Sequence, residues 1–401
     1  MSAPLAKAAA SAGSFVPRAV FEVSPSITRS YFLGHHQGAL TAMRKILSNI
    51  GLVLECRDSR VPLSSTNPLL EKALAGRDRI IVYTKSDLCL PESATWELER
   101  QQKRLERYHA KQSGEDSNLK FEDGNESIPN NNSNASARNS DGKREKAEKR
   151  IIFTDERDPR SIKVLLNAIK RRAASTTSLV GLRALVVGMP NVGKSTLLNA
   201  LRRVGLSLPK AARTGAQPGI TRKMGTPVRI IAEDTDLGIE QGVFVVDTPG
   251  VFVPYVGDVE AMLKLALVGC VKDGLVPVEI VADYLLFQLN LKDTGMYADL
   301  CAPTNDIYEF LDAVAVRTGK LGKGGVPIRE QAADWVVQQW RKGNLGRFGL
   351  DDVSGRALDE RLAKALAGED EHVSMNQARK REKAARKEMR SAKRQAAADA
   401  S

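Results

Sequence analysis

Gly188-Met189-Pro190-Asn191-Val192-Gly193-Lys194-Ser195-Thr196 follows an apolar run, Ala184-Leu185-Val186-Val187, and opens a helical pattern, Leu197-Leu198-Asn199-Ala200-Leu201. Strand, glycine loop and helix in that order are the setting a phosphate-binding loop requires. The spacing G-x-x-x-x-G-K-S is met by Gly188, Gly193, Lys194 and Ser195. Glycines let backbone N–H groups turn inward around a polyphosphate, and the helix N-terminus adds partial positive charge. The backbone from Asn191 and Val192 through Gly193 to Thr196 would wrap the phosphates. Lys194 would reach the β- and γ-phosphates, and the Ser195 hydroxyl would bind Mg²⁺. The loop by itself says nucleoside triphosphate, without saying which one.

The rest of the composition narrows the setting. At 401 residues the chain is long enough for two domains, and 42% hydrophobic content makes most of it globular. A net charge of +12 points to an acidic partner, either nucleic acid or an anionic membrane surface. Cys56, Cys89, Cys270 and Cys301 lie far apart with no C-x-x-C, which argues against a zinc site and a disulfide framework. No apolar run is long enough for a transmembrane helix.

Residues 1–30 hold Lys7, Arg18 and Arg29 against a single acid, Glu22, and are similar to a mitochondrial transit peptide. A plain disordered N-terminus would have the same composition. Beyond Tyr31 a helical pattern runs through Leu40, Met43, Ile46 and Leu47. Leu52–Leu54 and 79–83 read as strands, with a helix over 66–75 between them after Asn67-Pro68. Residues 100–110 read as a charged helix. An insertion placed over 105–149 is almost free of large apolar side chains from 111 on, and is expected to be disordered. A strand over 151–154 and a helix over 160–172 lead to the phosphate loop. Residues 209–226 read as a loop, and 228–232 and 243–246 as strands. From 256 the helical period takes over, with Leu263, Leu267 and Val271 expected on one face and further helices over 280–289, 307–316 and 330–342. A basic, helix-prone tail closes the chain.

Asp247-Thr248-Pro249-Gly250 ends the strand over 243–246 and fits the D-x-x-G element of GTPases. Asp247 would hold Mg²⁺ through water, and the Gly250 N–H would sense the γ-phosphate. Thr84-Lys85-Ser86-Asp87 ends the strand over 79–83 and fits the guanine-reading N-K-x-D, with Thr in place of Asn. A carboxylate accepts hydrogen bonds from guanine N1–H and N2–H₂, and adenine offers no such pair, so Asp87 would select the base. The Lys85 stem would pack on the base plane. An ordinary strand-end turn is the alternative reading of this tetrapeptide.

The guanine motif precedes the phosphate loop by roughly 105 residues, the reverse of the usual order. In that order, and in FLGHH (32–36), CRDSRVPLSSTNP (56–68), TKSDL (84–88), GMPNVGKSTLLN (188–199), RTGAQPGIT (213–221), DTPGV (247–251) and GKLGKGGVPI (319–328), the chain resembles the circularly permuted GTPases of the YlqF type. The resemblance covers about 31 to 350, outside the insertion. It implies a Ras-like doubly wound sheet cut at a different point. It implies that Thr221 closes on Mg²⁺ and the γ-phosphate, that Asn191 serves potassium-assisted hydrolysis, and that His35 contributes to catalysis. Leu33 and His36 depart from the Pro and Met that flank the histidine in the family. A histidine merely packing beside the first helix remains the bland alternative. Ile152-Phe153-Thr154 stands where the last guanine-binding motif belongs but lacks its usual Ser-Ala. Val251 stands where many GTPases have a water-orienting glutamine. The family's helical domain binds ribosomal RNA, and Lys320, Lys323, Arg341, Lys342 and Arg347 would supply phosphate contacts there.

The expectation is an α/β protein. After the transit-like 1–30 comes a circularly permuted Ras-like P-loop GTPase domain over 31–255. A helical RNA-binding domain over 256–350 and a mostly basic tail over 351–401 follow. GTP or GDP and Mg²⁺ are the expected cofactors, with K⁺ implied by the resemblance. The expected role is nucleotide-gated assembly of the mitochondrial large ribosomal subunit, with its precursor and rRNA as partners. It would act on the matrix side, with peripheral inner-membrane association left open. A nucleotide-gated RNA or membrane-surface scaffold with incidental hydrolysis is the rival. Oligomeric state is not legible.

Overall fold

The structure, a computed structural model, describes residues 15–23, 34–112, 150–176, 178, 180–212, 215, 224–253, 256 and 258–367. The chain forms two compact units, Thr28–Leu275 with Arg347–Ser401, and Met1–Ile27 with Val276–Gly346.

The larger unit holds one sheet of six strands: β1 (Leu52–Asp58), β2 (Arg79–Thr84), β3 (Ile151–Phe153), β4 (Leu182–Gly188), β5 (Val228–Ile231) and β6 (Val243–Asp247). Their spatial order is β3-β2-β1-β4-β6-β5, parallel except for the antiparallel β5–β6 pair. Counted from the phosphate-loop strand β4 and wrapping back to the start, the order becomes 6-5-4-1-3-2. That is a doubly wound sheet whose chain starts in the middle, which is the circular permutation.

Helices cover both faces, as a parallel sheet requires. The helices are α1 (Gly34–Ile46), α2 (Pro68–Ala73), α3 (Thr95–Gln112), α4 (Pro159–Ala174), α5 (Lys194–Leu206) and α6 (Val259–Leu267). On one face Val53, Leu185, Val187 and Val246 pack with Leu40 and Met43 of α1 and Leu70 of α2, while Ile81, Tyr83 and Ile151 pack with Leu105 and Tyr108 of α3. Asn67 caps α2 ahead of Pro68, and Asp158 caps α4 ahead of Pro159.

The second unit is helical: α7 (Val278–Lys292), α8 (Ile307–Thr318) and α9 (Arg329–Arg341). α7 is buried over most of its circumference, including Tyr284, Leu285, Leu286, Phe287 and Leu289. The chain then returns to the larger unit, where α10 (Gly355–Leu366) packs on α3 and buries Leu358.

Several expected boundaries move. β1 continues through Glu55, Arg57 and Asp58 because each of those charges is paired inside the fold. Residues 105–112 belong to α3 rather than to a disordered insertion, since Leu105, Tyr108 and His109 are buried there. The remainder of the insertion lies outside the described residues, as does most of the basic tail. α6 ends at Leu267, so Val271 is not on its face, although it is buried. The units divide at Leu275/Val276 rather than near 256, because α6 and the turn after it pack in the larger unit. Residues 15–23 of the transit-like segment pack on the second unit, and residues 351–366 of the tail carry α10.

Candidate active site

β1, β2, β4 and β6 are parallel, so their carboxyl ends lie on one rim of the sheet. The strand order reverses between β1 and β4, and ligands of such sheets sit in the crevice outside that point. The phosphate loop leaves β4, Thr84-Lys85-Ser86-Asp87 leaves β2, and Asp247-Thr248-Pro249-Gly250 leaves β6. Motifs far apart in sequence therefore meet.

Their meeting is hydrogen-bonded. The Thr84 hydroxyl donates to the Val192 carbonyl of the phosphate loop at 2.6 Å, with the Arg57 carbonyl 3.2 Å away. Lys85 Nζ donates to the Asn191 carbonyl and to Asp58 Oδ2, both at 2.8 Å. Lys85 and Asn191 both hold left-handed backbone, φ 57° and 55°, which costs a non-glycine residue energy. The Nζ bond from Lys85 to the Asn191 carbonyl ties the two turns together.

Asp87 is half-buried and lines a cavity of about 420 Å³ with Ser86, Phe153, Asp155 and Ser161. Burial, then repulsion from Asp155, pushes its carboxyl above the usual aspartate value. The stretch at the last guanine-motif position docks against the base motif. The Thr154 N–H donates to the Tyr83 carbonyl at 2.7 Å, and its carbonyl accepts from the Ser86 N–H at 3.3 Å.

In the phosphate loop Gly193 has φ 92° and starts α5, with Thr196 in the first turn. Lys194 is buried and donates from Nζ to the Met189 carbonyl at 2.7 Å. Burial lowers its pKa, with Asp247 pulling it back up. A buried ammonium of this kind gains when a phosphate arrives. The Ser195 hydroxyl donates to Asp247 Oδ2 at 2.6 Å. A hydroxyl and a carboxylate side by side at the helix start are the hard oxygen donors Mg²⁺ takes, so these residues fit it. Thr221 lies outside the described residues. His35 is in the first turn of α1, and its side chain is likewise outside them.

Gly250 presses on the phosphate loop: a Cβ there would lie 2.6 Å from Pro190 Cα. Only glycine allows that approach. Val251 is buried, and its backbone is held at both ends. Its N–H donates to the Gly188 carbonyl at 3.1 Å, and its carbonyl accepts from Asn67 Nδ2 at 2.7 Å. Thr248 Oγ1 donates to the Val186 carbonyl at 2.7 Å. Asn191 Nδ2 donates to the Gly269 carbonyl at 2.9 Å, which ties the phosphate loop to the turn after α6.

Sequence reasoning missed Asp58, Arg60 and Asn67. Asp58 is fully buried and takes a two-pronged Arg60 guanidinium at 3.0 and 2.8 Å as well as Lys85. Burial would raise its carboxyl, but Arg60 and Lys85 outweigh it and hold it well below the usual range. The available signal was the cluster of charges in Arg57-Asp58-Ser59-Arg60 directly after an apolar strand. Asn67 was legible as a helix cap, and its second bond, to Val251, was not. Of the cations expected to meet phosphates, Lys320, Lys323, Arg341 and Lys342 fall in the helical unit, with Lys320 Nζ 5.6 Å from the Trp335 ring. Arg347 falls in the larger unit.

A family model described as "50S ribosome-binding GTPase" matches residues 183–298. Mitochondrial GTPase 1 of Schizosaccharomyces japonicus is 35% identical over 339 residues, 83% of this chain and 93% of that protein. Mitochondrial ribosome-associated GTPase 1 of Ictalurus punctatus is 31% identical, over 83% of this chain and 96% of its own length. A crystal structure of GNP-bound YlqF from T. maritima is similar at TM-score 0.45 and 23% identity, covering 79% of this chain and 98% of that one. On the relatives' identity and coverage, the chain belongs to the family of mitochondrial GTPase 1, also named mitochondrial ribosome-associated GTPase 1, and is a GTPase.

Proposed function

We propose that the chain acts as a GTP-hydrolysing checkpoint in assembly of the mitochondrial large ribosomal subunit. In this reading GTP favours docking on immature ribosomal RNA, and hydrolysis favours release. The observation that carries it is family membership, since relatives are named both mitochondrial and ribosome-associated. The basic charge of the chain agrees with an RNA partner. No described helix is long and apolar enough to cross a membrane.

Asp87 would read guanine N1–H and N2–H₂, with Lys85 along the base. Lys194 and the N–H groups from Asn191 to Thr196 would hold the β- and γ-phosphates. Ser195, Asp247 and Thr221 would hold Mg²⁺, which when bound neutralises charge developing on the phosphates. The Gly250 N–H would meet the γ-phosphate. Val251 offers no polar side-chain atom to the attacking water, so that help comes from His35, from K⁺ beside Asn191, or from the RNA.

GTP turnover with and without large-subunit precursor particles tests the reading, together with RNA cross-linking in the GTP state. The expected result is stimulation by particles and cross-links to large-subunit rRNA. Turnover indifferent to particles, with flotation on anionic vesicles in the GTP state, would favour the membrane-surface scaffold instead.

A further inference from the structure

Part of the N-terminal thirty residues is built into the helical unit. Phe21 stands edge-on to Tyr284, with ring centroids 5.3 Å apart and planes at 83°, and its centroid lies 5.6 Å from that of Phe287. The Arg18 guanidinium lies 5.6 Å from the Phe21 ring and 5.8 Å from Phe287, and it reaches Asp283 Oδ1 at 2.6 Å. The backbone of the segment is clamped as well. Asn305 Nδ2 donates to the Val16 carbonyl at 2.9 Å, and Asn305 Oδ1 accepts the Arg18 N–H at 3.3 Å.

The clamp is set from inside the unit. Asn305 Oδ1 also accepts from Asn290 Nδ2 at 3.3 Å, and that buried amide donates to the Thr304 carbonyl at 2.8 Å. Tyr284 is fully buried and Phe287 is 6% exposed. Removing the segment uncovers an aromatic pair on α7 and leaves Asp283 without its guanidinium. A targeting leader is read as an unfolded sequence and then discarded. A segment with an aromatic socket, an ion pair and a two-point backbone clamp has a second use.

We propose that residues 15–23 stay on the working protein as a strap that completes the helical unit, and that any import leader ends before Phe15. The placement of the cut rests on the mitochondrial reading above; the strap does not.

Two measurements test this. Mass spectrometry of the N-terminus of protein purified from its native cells should find a first residue at or before Phe15. A mature start after Phe15 overturns the proposal. An uncut chain found in the cytosol would end the import reading and leave the strap supported. In purified protein, removing residues 1–14 should leave the unfolding midpoint within about 1 °C, whereas removing 1–23, or Phe21→Ala, should lower it by roughly 4 °C or more. Arg18→Asp should lower the midpoint too, and adding Asp283→Arg should restore part of the loss. Equal midpoints for the chains lacking 1–14 and 1–23 would overturn the strap.

Discussion

Thr84 is one of two residues, with Lys85, that tie the proposed base-reading tetrapeptide to the phosphate loop. Its hydroxyl is buried on the Val192 carbonyl, so Thr84→Val leaves that carbonyl unpaired at a cost of about 1–3 kcal/mol. The expected outcome is a fall of about tenfold or more in affinity for GTP and GDP alike, read by calorimetry. Asp87→Asn has a different signature: GTP binding weakens and xanthine nucleotide gains, because position 2 then carries an oxo group. Equal wild-type affinity for ATP and GTP would contradict the guanine assignment. Asp87 also sets a pH dependence. Its raised pKa means the accepting carboxylate is lost at a higher pH than for an ordinary aspartate, so GTP affinity declines earlier on acidification. Asp155→Asn removes the neighbouring charge, lowers the Asp87 pKa and should carry tight binding to lower pH. An unchanged affinity profile across pH 4.5–7 in that variant would separate Asp155 from the base site.

β1 shows how an element can be central and still read poorly. Its Leu52, Leu54 and Cys56 face one side, and Val53, Glu55 and Arg57 the other. The charged pair sits between two apolar clusters, with Arg57 on Glu55, Thr66 and Glu71, and Arg79 on Glu55. The phosphate loop, Asp247-Thr248-Pro249-Gly250 and the base tetrapeptide were legible because each is a local spacing at a strand end. The charged half of β1, the full length of α3 and the whole of α10 were not, because their burial depends on partners distant in the chain. α3 carries a consequence for stability. His109 Nε2 and the Tyr83 hydroxyl are 2.7 Å apart. Burial, with help from Arg57 and Arg79, holds the His109 pKa well below the ordinary histidine value of about 6.5. The unfolded chain takes up a proton near that value and the folded chain does not. The His109 contribution is therefore complete above about pH 6.5 and is lost as pH falls from there through the folded value. His109→Gln should flatten the urea midpoint between pH 7 and pH 5. A wild-type slope in the variant would assign that loss to other groups.

At the scale of the molecule, the chain passes between the two units three times, at Ile27/Thr28, Leu275/Val276 and Gly346/Arg347. The stretch after Gly250 stays in the larger unit before it reaches the helical one. It first builds α6, which is anchored in the larger unit by Lys264 on Asp351, while the turn after it accepts Asn191 at the Gly269 carbonyl. Flexible residues inserted over 251–257 would therefore disturb the phosphate site. Gly274, with φ 89° and open space around it, is the place to loosen one crossing. A Gly-Ser insertion there should leave GTP affinity intact and lower, without abolishing, the ratio of particle affinity in the GTP-analogue state to that in the GDP state. Such couplings are typically about 1–3 kcal/mol. Pelleting with precursor particles measures the ratio, and a wild-type value would exclude this crossing as the route. The permuted order also bears on how the chain is made. β1 ends flanked on both sides, by β2 and β4, yet β4 is synthesised more than a hundred residues after it. At ribosomal elongation speeds, an edge of the future central strand stays open for roughly ten seconds. Open edges recruit strands from other molecules, and charged side chains discourage that. Glu55, Arg57 and Asp58, paired and hidden in the finished sheet, are charges of the kind that discourage such pairing while that edge is open.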